Sequence, residues 1–305
     1  MKKDIKGVVV PLITPLKDRA TVDKEGLERL IDYVVDGGVD SLFVLGTTGE
    51  GPGLSNEVKN EVIVYTNHFL RGRTKNLIGI TDTSPEESIK WSRIAADNGA
   101  DAVVLAPPPY FPYTQKELVT YVRYVIRHSP LPVILYNIPR LTKTVFETEA
   151  IKHLMDEKGV IGFKDSSKDW EYFKDVLHVT KQRPDWTLLT GTEELLAQSM
   201  EAGADGGVLG GANIFPKLLS DFYAAIKRKN AREVSALEGI LSDCRPIYAM
   251  GCGATSSIQV IKYVLEQQGI CQRMMTQPFN DLDEDAGRRV SERIALYVNN
   301  RQSIN

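Results

Sequence analysis

An α/β fold, a closed (β/α)8 TIM barrel followed by a C-terminal helical extension, is what the sequence predicts, on three observations. Short β-type runs alternate with longer amphipathic stretches through eight cycles, up to about residue 230. The joints repeat: Gly37-Gly38-Val39-Asp40, Asn98-Gly99-Ala100-Asp101 and Ala202-Gly203-Ala204-Asp205 each put glycine just past a helix and before an apolar strand. Beyond about residue 231 only helical periodicity remains. Residues 1–230 are therefore expected to form the barrel, as the catalytic domain, and residues 231–305 a helical extension packed on it.

The predicted strands run from Val8 to Thr14, Ser41 to Gly46, Asn76 to Thr81, Ala102 to Ala106, Val133 to Asn137, Val160 to Lys164, Thr187 to Thr190 and Gly207 to Gly210. Helical periodicity covers Asp23 to Asp36, Asn56 to Leu70, Glu86 to Asp97, Lys116 to Arg127, Ala150 to Lys158, Glu171 to Thr180 and Glu193 to Glu201. In the extension it covers Glu233 to Leu241, Ser257 to Gln267 and Asp283 to Asn299. Ser55 with Glu57, and Ser84-Pro85-Glu86-Glu87, are helix-start signals. A right-handed series of βα units buries its parallel sheet by closing or by winding to both sides. The doubly wound alternative usually carries a glycine-rich phosphate fingerprint after its first strand, and Thr14-Pro15-Leu16-Lys17 is not one.

With 305 residues, 42% of them hydrophobic, the chain can bury a large core. Its net charge of -3, with both signs interspersed, points away from nucleic acid and membrane surfaces and toward small, soluble partners. The basic start, Met1 to Lys6, leads into Val8-Val9-Val10-Pro11 and not into the apolar stretch of a signal peptide, and no segment approaches the roughly 20 apolar residues of a membrane span. Cys244, Cys252 and Cys271 lack C-x-x-C spacing and fit reduced thiols in a cytoplasmic protein. All four histidines, His68, His128, His153 and His178, fall in predicted helices, away from the strand ends where a metal cluster or a Ser-His-Asp arrangement would stand. Neither a metal nor a redox cofactor is expected.

In a barrel, functional side chains collect at the C-terminal ends of the strands. Standing there are Gly46-Thr47-Thr48-Gly49-Glu50-Gly51, Pro107-Pro108-Pro109-Tyr110, Tyr136-Asn137-Ile138-Pro139, Lys164-Asp165-Ser166, Thr190-Gly191-Thr192 and Gly210-Gly211-Ala212-Asn213. Lys164 ends the apolar run Val160-Ile161-Gly162-Phe163, which is a place to form a Schiff base with a carbonyl substrate, or else simply a solvated strand-end lysine. An ordinary lysine, with a pKa near ~10.4, leaves fewer than about one amine in a thousand free at neutral pH. Burial in an apolar mouth lowers that value, and an imine, once formed, acts as an electron sink for bond-making or bond-breaking at the adjacent carbon. Tyr136, on the neighbouring strand, is placed to shuttle a proton, unless it is a core tyrosine with its hydroxyl satisfied elsewhere. The glycine turn reads either as an anion nest or as a plain connection. Gly191, Gly210 and Gly211 either line a substrate channel or permit tight turns.

G-T-T-G-E at 46–50, Y-N-x-P at 136–139 and G-x-K-D at 162–165, in this order, resemble the pyruvate-dependent class I aldolases that include dihydrodipicolinate synthase, N-acetylneuraminate lyase and the 2-keto-3-deoxy-sugar-acid aldolases. The resemblance spans essentially the whole chain. It implies a lyase that joins or cleaves pyruvate and an aldehyde through an imine on Lys164. Tyr136 would be its proton shuttle, Thr48 would relay protons from Tyr136, and Tyr110 would complete the relay from an adjacent subunit. Thr47, Thr48 and the neighbouring amides, Gly49 included, would hold the pyruvate carboxylate. Homotetramers built from dimers are implied in the same way.

Within that family the branch is open. The synthase branch places an arginine two residues after the proline of Y-N-x-P, where this chain has Leu141; Arg140 is one residue away, and would face the other side if the segment is extended. The lyase and sugar-acid branch usually has T-G shortly afterwards, and here Thr142-Lys143 stands. Pro109-Tyr110-Phe111-Pro112, Gly79-Ile80-Thr81-Asp82 and Glu86-Glu87-Ser88 resemble that second branch, so a 2-keto-3-deoxy acid is the expected substrate. Dihydrodipicolinate synthesis is the alternative, followed by a dehydratase or another pyruvate lyase. From other classes, a phosphosugar enzyme would use Gly191 and Gly210-Gly211 as a phosphate cup, and a non-catalytic sugar-acid sensor would keep the pocket without turnover.

Overall fold

The protein, described here by a computed structural model covering residues 5–302, is a closed barrel of eight parallel strands in sequence order, β1 pairing with β8. The strands are β1 (Gly7–Pro11), β2 (Ser41–Val44), β3 (Lys75–Gly79), β4 (Ala102–Leu105), β5 (Val133–Asn137), β6 (Val160–Asp165), β7 (Thr187–Thr190) and β8 (Gly206–Val208). Around them lie α1 (Lys24–Asp36), α2 (Asn56–Leu70), α3 (Pro85–Asp97), α4 (Gln115–His128), a single turn α5 (Pro139–Thr142), α6 (Thr148–Met155), α7 (Trp170–Thr180), α8 (Leu196–Ala202) and α9 (Pro216–Lys227). Helices α10 (Ala231–Cys244), α11 (Ser256–Gln267) and α12 (Glu284–Gln302) follow the barrel, α10 packing on α9 and α12 on both α10 and α11. The basic residues 1–4 and the last three of the extension lie outside the described residues. Among the described residues no helix is long and apolar enough to cross a membrane.

The joints do more than stop helices. Gly38, Gly99 and Gly203 take left-handed φ values of 87°, 80° and 120°, which side chains with a Cβ avoid. The aspartate that follows each then reaches back to the previous strand. Asp40 accepts from the Val8 N–H, Asp101 from Asn76 and Asp205 from Leu188, each at 2.8 Å. A carboxylate thereby fixes β1 against β2, β3 against β4 and β7 against β8 at the bottom of the barrel. Helix starts are capped as their sequences imply: Ser55 accepts from the Val58 N–H, Ser84 from Glu87, and Thr114 with Glu117 forms a capping box.

Several predicted strands are too long, for identifiable reasons. β1 ends at Pro11 because the Ile13 N–H bonds the Asn213 side chain at 3.1 Å in place of a neighbouring strand. β2 ends at Val44 because Leu45 turns to a φ of 58°. Beyond β8 the chain tightens into a 3-10 turn over Gly210–Asn213, and Glu193–Leu195 is likewise a 3-10 turn before α8. The segment after Tyr136-Asn137-Ile138-Pro139 is not extended, since Pro139–Thr142 forms α5, so strand alternation does not govern where Arg140 points.

One irregularity sets the chemistry. Val133 pairs with Val160 but Ile134 pairs with Gly162, so β6 carries one extra residue, Ile161, against β5. Side chains alternate along a strand, and a one-residue insertion reverses every side chain beyond it. Without Ile161, Lys164 would face the surrounding helices. With it, Phe163 joins the outer core and Lys164 lies opposite Tyr136 on the inner face. Gly162 completes the device, because a Cβ there would lie 2.6 Å from the Thr187 carbonyl oxygen. Gly162→Ala is expected to cost roughly 1–3 kcal/mol of stability, read as a lowered urea midpoint with unchanged slope.

Candidate active site

The lumen of the barrel is closed below by Val9, Leu77, Val104, Ile134 and Leu189, and above them stand Phe43, Tyr136 and Lys164. Lys164 is 5% exposed and Tyr136 6%. The Lys164 Nζ lies 3.8 Å from the centre of the Tyr136 ring and 5.0 Å from that of Phe43, and the two rings meet edge to face. Burial pushes the Lys164 ammonium below the ordinary lysine value, while Tyr136 and Asp165 act in the opposite direction. The result is an amine biased toward its free, nucleophilic form.

Asn137 and Asp165, to which sequence reasoning gave no role, brace this pair from behind. The Asn137 Nδ2 donates to Asp165 at 2.8 Å, the Phe146 N–H donates to the Asn137 Oδ1 at 3.1 Å, and the Ser167 hydroxyl donates to Asp165 at 2.8 Å. Burial raises the Asp165 carboxyl group, and the Asn137 and Ser167 bonds counter it. The motif residues next to Tyr136 and Lys164 are thus the bracket between β5 and β6.

The glycine turn at 46–51 brings Thr47, and not Thr48, to the tyrosine: the Thr47 hydroxyl is 3.5 Å from the Tyr136 hydroxyl. Thr48 points to a separate cavity of about 420 Å³ that it shares with Gly191, Gly210 and Gly211. Successive residues of the turn face different ways, and the sequence does not reveal which threonine takes which direction. Gly49 is buried beneath the turn, its carbonyl accepting from the Thr14 hydroxyl at 2.7 Å, and a Cβ there would be 2.8 Å from the Leu12 carbonyl oxygen. Gly191 and Gly211 are likewise close-approach positions, against Ser166 and against Tyr248 with Glu193, whereas Gly210 faces open space. Tyr110 is not drawn into the cluster within one chain. It is 71% exposed at a φ of 93°, with the 66% exposed Phe111 ring against it and the Lys143 Nζ 5.9 Å from its ring centre.

The 420 Å³ cavity also has a wall that the sequence did not reveal, formed by Lys168, Glu193, Arg245 and Tyr248. Glu193 accepts from the Gly211 N–H, and burial pushes its carboxyl group up to about 7, with Arg245 opposing. Tyr248, half-buried beside it, has its hydroxyl pushed well above the usual tyrosine value by loss of water around it. Glu193 read as the start of a helix, and Arg245 with Tyr248 fell between two predicted helices. The only available signal was the position of Glu193, three residues past the end of β7.

Barrel and mouth together define the class: a lyase on a (β/α)8 scaffold. A model of the dihydrodipicolinate synthetase family matches residues 4–296, and the chain belongs to that family, whose members are lyases and aldolases. It is similar to the structure of dihydrodipicolinate synthase from Bacteroides thetaiotaomicron, at 40% identity and a TM-score of 0.93 over 97% of this chain and 99% of that one. It is also similar to YagE of Escherichia coli, a prophage protein of the same family solved in complex with pyruvate, at 26% identity and a TM-score of 0.91 over 96% and 98% of the two chains. Among curated sequences it is 27% identical to an Escherichia coli protein named "Probable 2-dehydro-3-deoxy-D-pentonate aldolase", over 94% of this chain and 96% of that one.

The cost of a buried amine gives a direct check. The unfolded chain binds the Lys164 proton more tightly than the folded one, so the penalty is full at low pH and shrinks as pH rises toward the ordinary lysine value. Lys164→Met is expected to stabilise the protein at neutral pH by roughly 0.5–2 kcal/mol. Thermal melts should show that gap narrowing as pH rises toward the ordinary lysine value.

Proposed function

We propose that this chain is a pyruvate-dependent class I aldolase that cleaves or condenses a 2-keto-3-deoxy sugar acid through an imine on Lys164. The observation that carries the reading is the Lys164 amine, buried against Tyr136 and shifted toward its neutral form. The Nζ attacks the C2 ketone and water leaves, giving the imine. Tyr136 gives its proton to the departing water, leaving a protonated imine. In the cleavage direction the Tyr136 phenolate then takes the C4 hydroxyl proton, the C3–C4 bond breaks, C4 leaves as the aldehyde, and the bonding electrons flow into the imine to form an enamine. Protonation of C3 and hydrolysis then release pyruvate and free the lysine. Thr47, the threonine beside Tyr136, takes the relay position, and amides of the 46–51 turn receive the pyruvate carboxylate. The Tyr110-Phe111 projection fits the dimer contact of a homotetramer, with Tyr110 completing the partner's relay.

The cavity supports the sugar-acid branch. Glu193 supplies an acceptor for hydroxyl groups, and Gly210 leaves space where a side chain would intrude. The same wall argues against a phosphate cup after β7 and β8, because the Gly211 N–H already bonds a carboxyl group that would repel phosphate. A second reading, 4-hydroxy-tetrahydrodipicolinate synthesis from pyruvate and aspartate semialdehyde, is supported by the 40% identity to the Bacteroides thetaiotaomicron synthase. A screen of aspartate semialdehyde against C5 and C6 keto-deoxy acids separates the two.

Borohydride reduction in the presence of pyruvate should place an adduct on the peptide containing Lys164; folded protein that yields none would remove the aldolase reading. Tyr136→Phe should still trap pyruvate while losing about 10²-fold or more of turnover. Because the Glu193 carboxyl titrates at about 7, KM for a hydroxylated substrate should fall as pH rises through that value. In Glu193→Gln that pH step should vanish and KM should rise by about tenfold, with pyruvate trapping unchanged.

A further inference from the structure

The catalytic turn is held from outside the barrel. Between α11 and α12, residues 270–282 form an irregular strap that crosses the loops after β1 and β2. The Arg19 guanidinium donates to the Met275 and Phe279 carbonyls at 3.2 and 2.8 Å, and the Thr276 hydroxyl donates to the Gly53 carbonyl at 3.4 Å. At the centre of this crossing Lys262 of α11 pairs with Glu50 of the turn, both side chains 0% exposed. Each partner makes a further bond: the Lys262 Nζ donates to the Met274 carbonyl at 2.6 Å, and Glu50 accepts from the Thr276 N–H at 2.8 Å.

A wholly buried ion pair is a poor device for stability alone, since desolvation of two charges consumes most of what their attraction returns. What it supplies is one fixed geometry, and here that geometry acts on a strained segment. Glu50 sits at a φ of 56°, a left-handed setting that a residue with a Cβ disfavours and that persists only where the surroundings impose it. Its N–H bonds the Thr47 carbonyl at 3.1 Å, so the clamped residue closes the turn that carries Thr47. The Thr47 to Tyr136 contact, at 3.5 Å, is at the limit of a hydrogen bond and tolerates little displacement.

We infer that Lys262 and Glu50 are positioning residues: through their buried ion pair the C-terminal helices hold the 46–51 turn so that Thr47 meets Tyr136. The role given to Thr47 rests on the aldolase reading above, whereas the clamp itself does not.

The test compares full-length wild type, Lys262→Met and the charge-free double variant Glu50→Gln with Lys262→Met. Each is assayed for thermal midpoint, amide exchange across residues 46–51, and deuteration of the pyruvate methyl group in D2O, which requires imine, enamine and proton relay but no aldehyde. Lys262→Met should melt lower. The double variant, freed of an unpaired buried charge, should recover most of the midpoint, yet both variants should lose at least tenfold in amide protection of the turn and in methyl deuteration at saturating pyruvate. Should Lys262→Met not fold, the double variant alone decides. Wild-type protection and deuteration in a folded variant would overturn the inference and leave the pair a packing feature. A wild-type protein that neither traps nor deuterates pyruvate would instead overturn the aldolase reading, and the exchange of the turn amides would still decide the clamp.

Discussion

Everything at the mouth of this barrel depends on one inserted residue. Ile161 shifts β6 against β5, and the shift turns Lys164 from the helix layer into the lumen, opposite Tyr136. Parity in a strand admits no intermediate setting, so the amine is either among the outer core side chains or in the active site. Once inside, it meets two aromatic rings and little water, and its charge becomes costly. The side-chain bond between Asn137 and Asp165 ties β5 to β6 at the end of the pair beyond the bulge, beside Tyr136 and Lys164. A local irregularity in the sheet thus decides which side chain faces the lumen, and neighbouring hydrogen bonds hold the arrangement.

Around that centre two sets of contacts act from different distances. The lumen fixes the lysine and tyrosine through the sheet itself, which is rigid because its strands close on one another. The threonine turn has no such support, since β2 ends at Val44 and the chain from Leu45 onward leaves the ladder. Its glycines allow close approach to the neighbouring backbone, as at Gly51, where a Cβ would lie 2.1 Å from the Leu45 carbonyl oxygen. Beneath it lies Thr14, and behind it α11 and the strap. The segments after the barrel therefore do two separate things: they back the turn through Lys262, and they wall the 420 Å³ cavity through Arg245 and Tyr248.

The barrel was legible in the sequence because its signals are local and repeated. Helix periodicity, capping serines and the glycine-aspartate joints each operate within a few residues, and eight repetitions make the pattern hard to mistake. Lys164 and Tyr136 were legible for a related reason, both standing at the ends of strands. What was not legible depends on parity or on contacts between distant segments. The bulge at Ile161 leaves no mark in composition. The choice of Thr47 over Thr48 beside Tyr136 is set by the path of a turn whose direction comes from Leu45 and Glu50, both at positive φ. The turn α5, four residues long, is too short for periodicity to detect, so the condition on which Arg140 would face away, an extended segment, is not met. Glu193, Arg245 and Tyr248 meet only because a loop after β7 and the segment after α10 converge.

That convergence bears on which aldehyde the site accepts. A hydrophobic pocket discriminates weakly, but one with buried polar groups rejects any substrate that leaves them unpaired. Arg140 and Leu141, which occupy the loop where the synthase branch has its carboxylate-binding arginine, are exposed. The cavity instead offers Glu193, whose carboxyl group is buried and already engaged by one backbone N–H. A substrate bringing hydroxyl groups would donate to that oxygen and satisfy it. One bringing a second carboxylate would set like charges together in a site of low dielectric, with Lys168 and Arg245 as the compensating cations. Above pH 7, where Glu193 is ionised, the balance moves further toward the hydroxylated partner. On the aldolase reading proposed above, acceptor specificity would therefore rest on the charge state of Glu193 and not on the lysine that forms the imine.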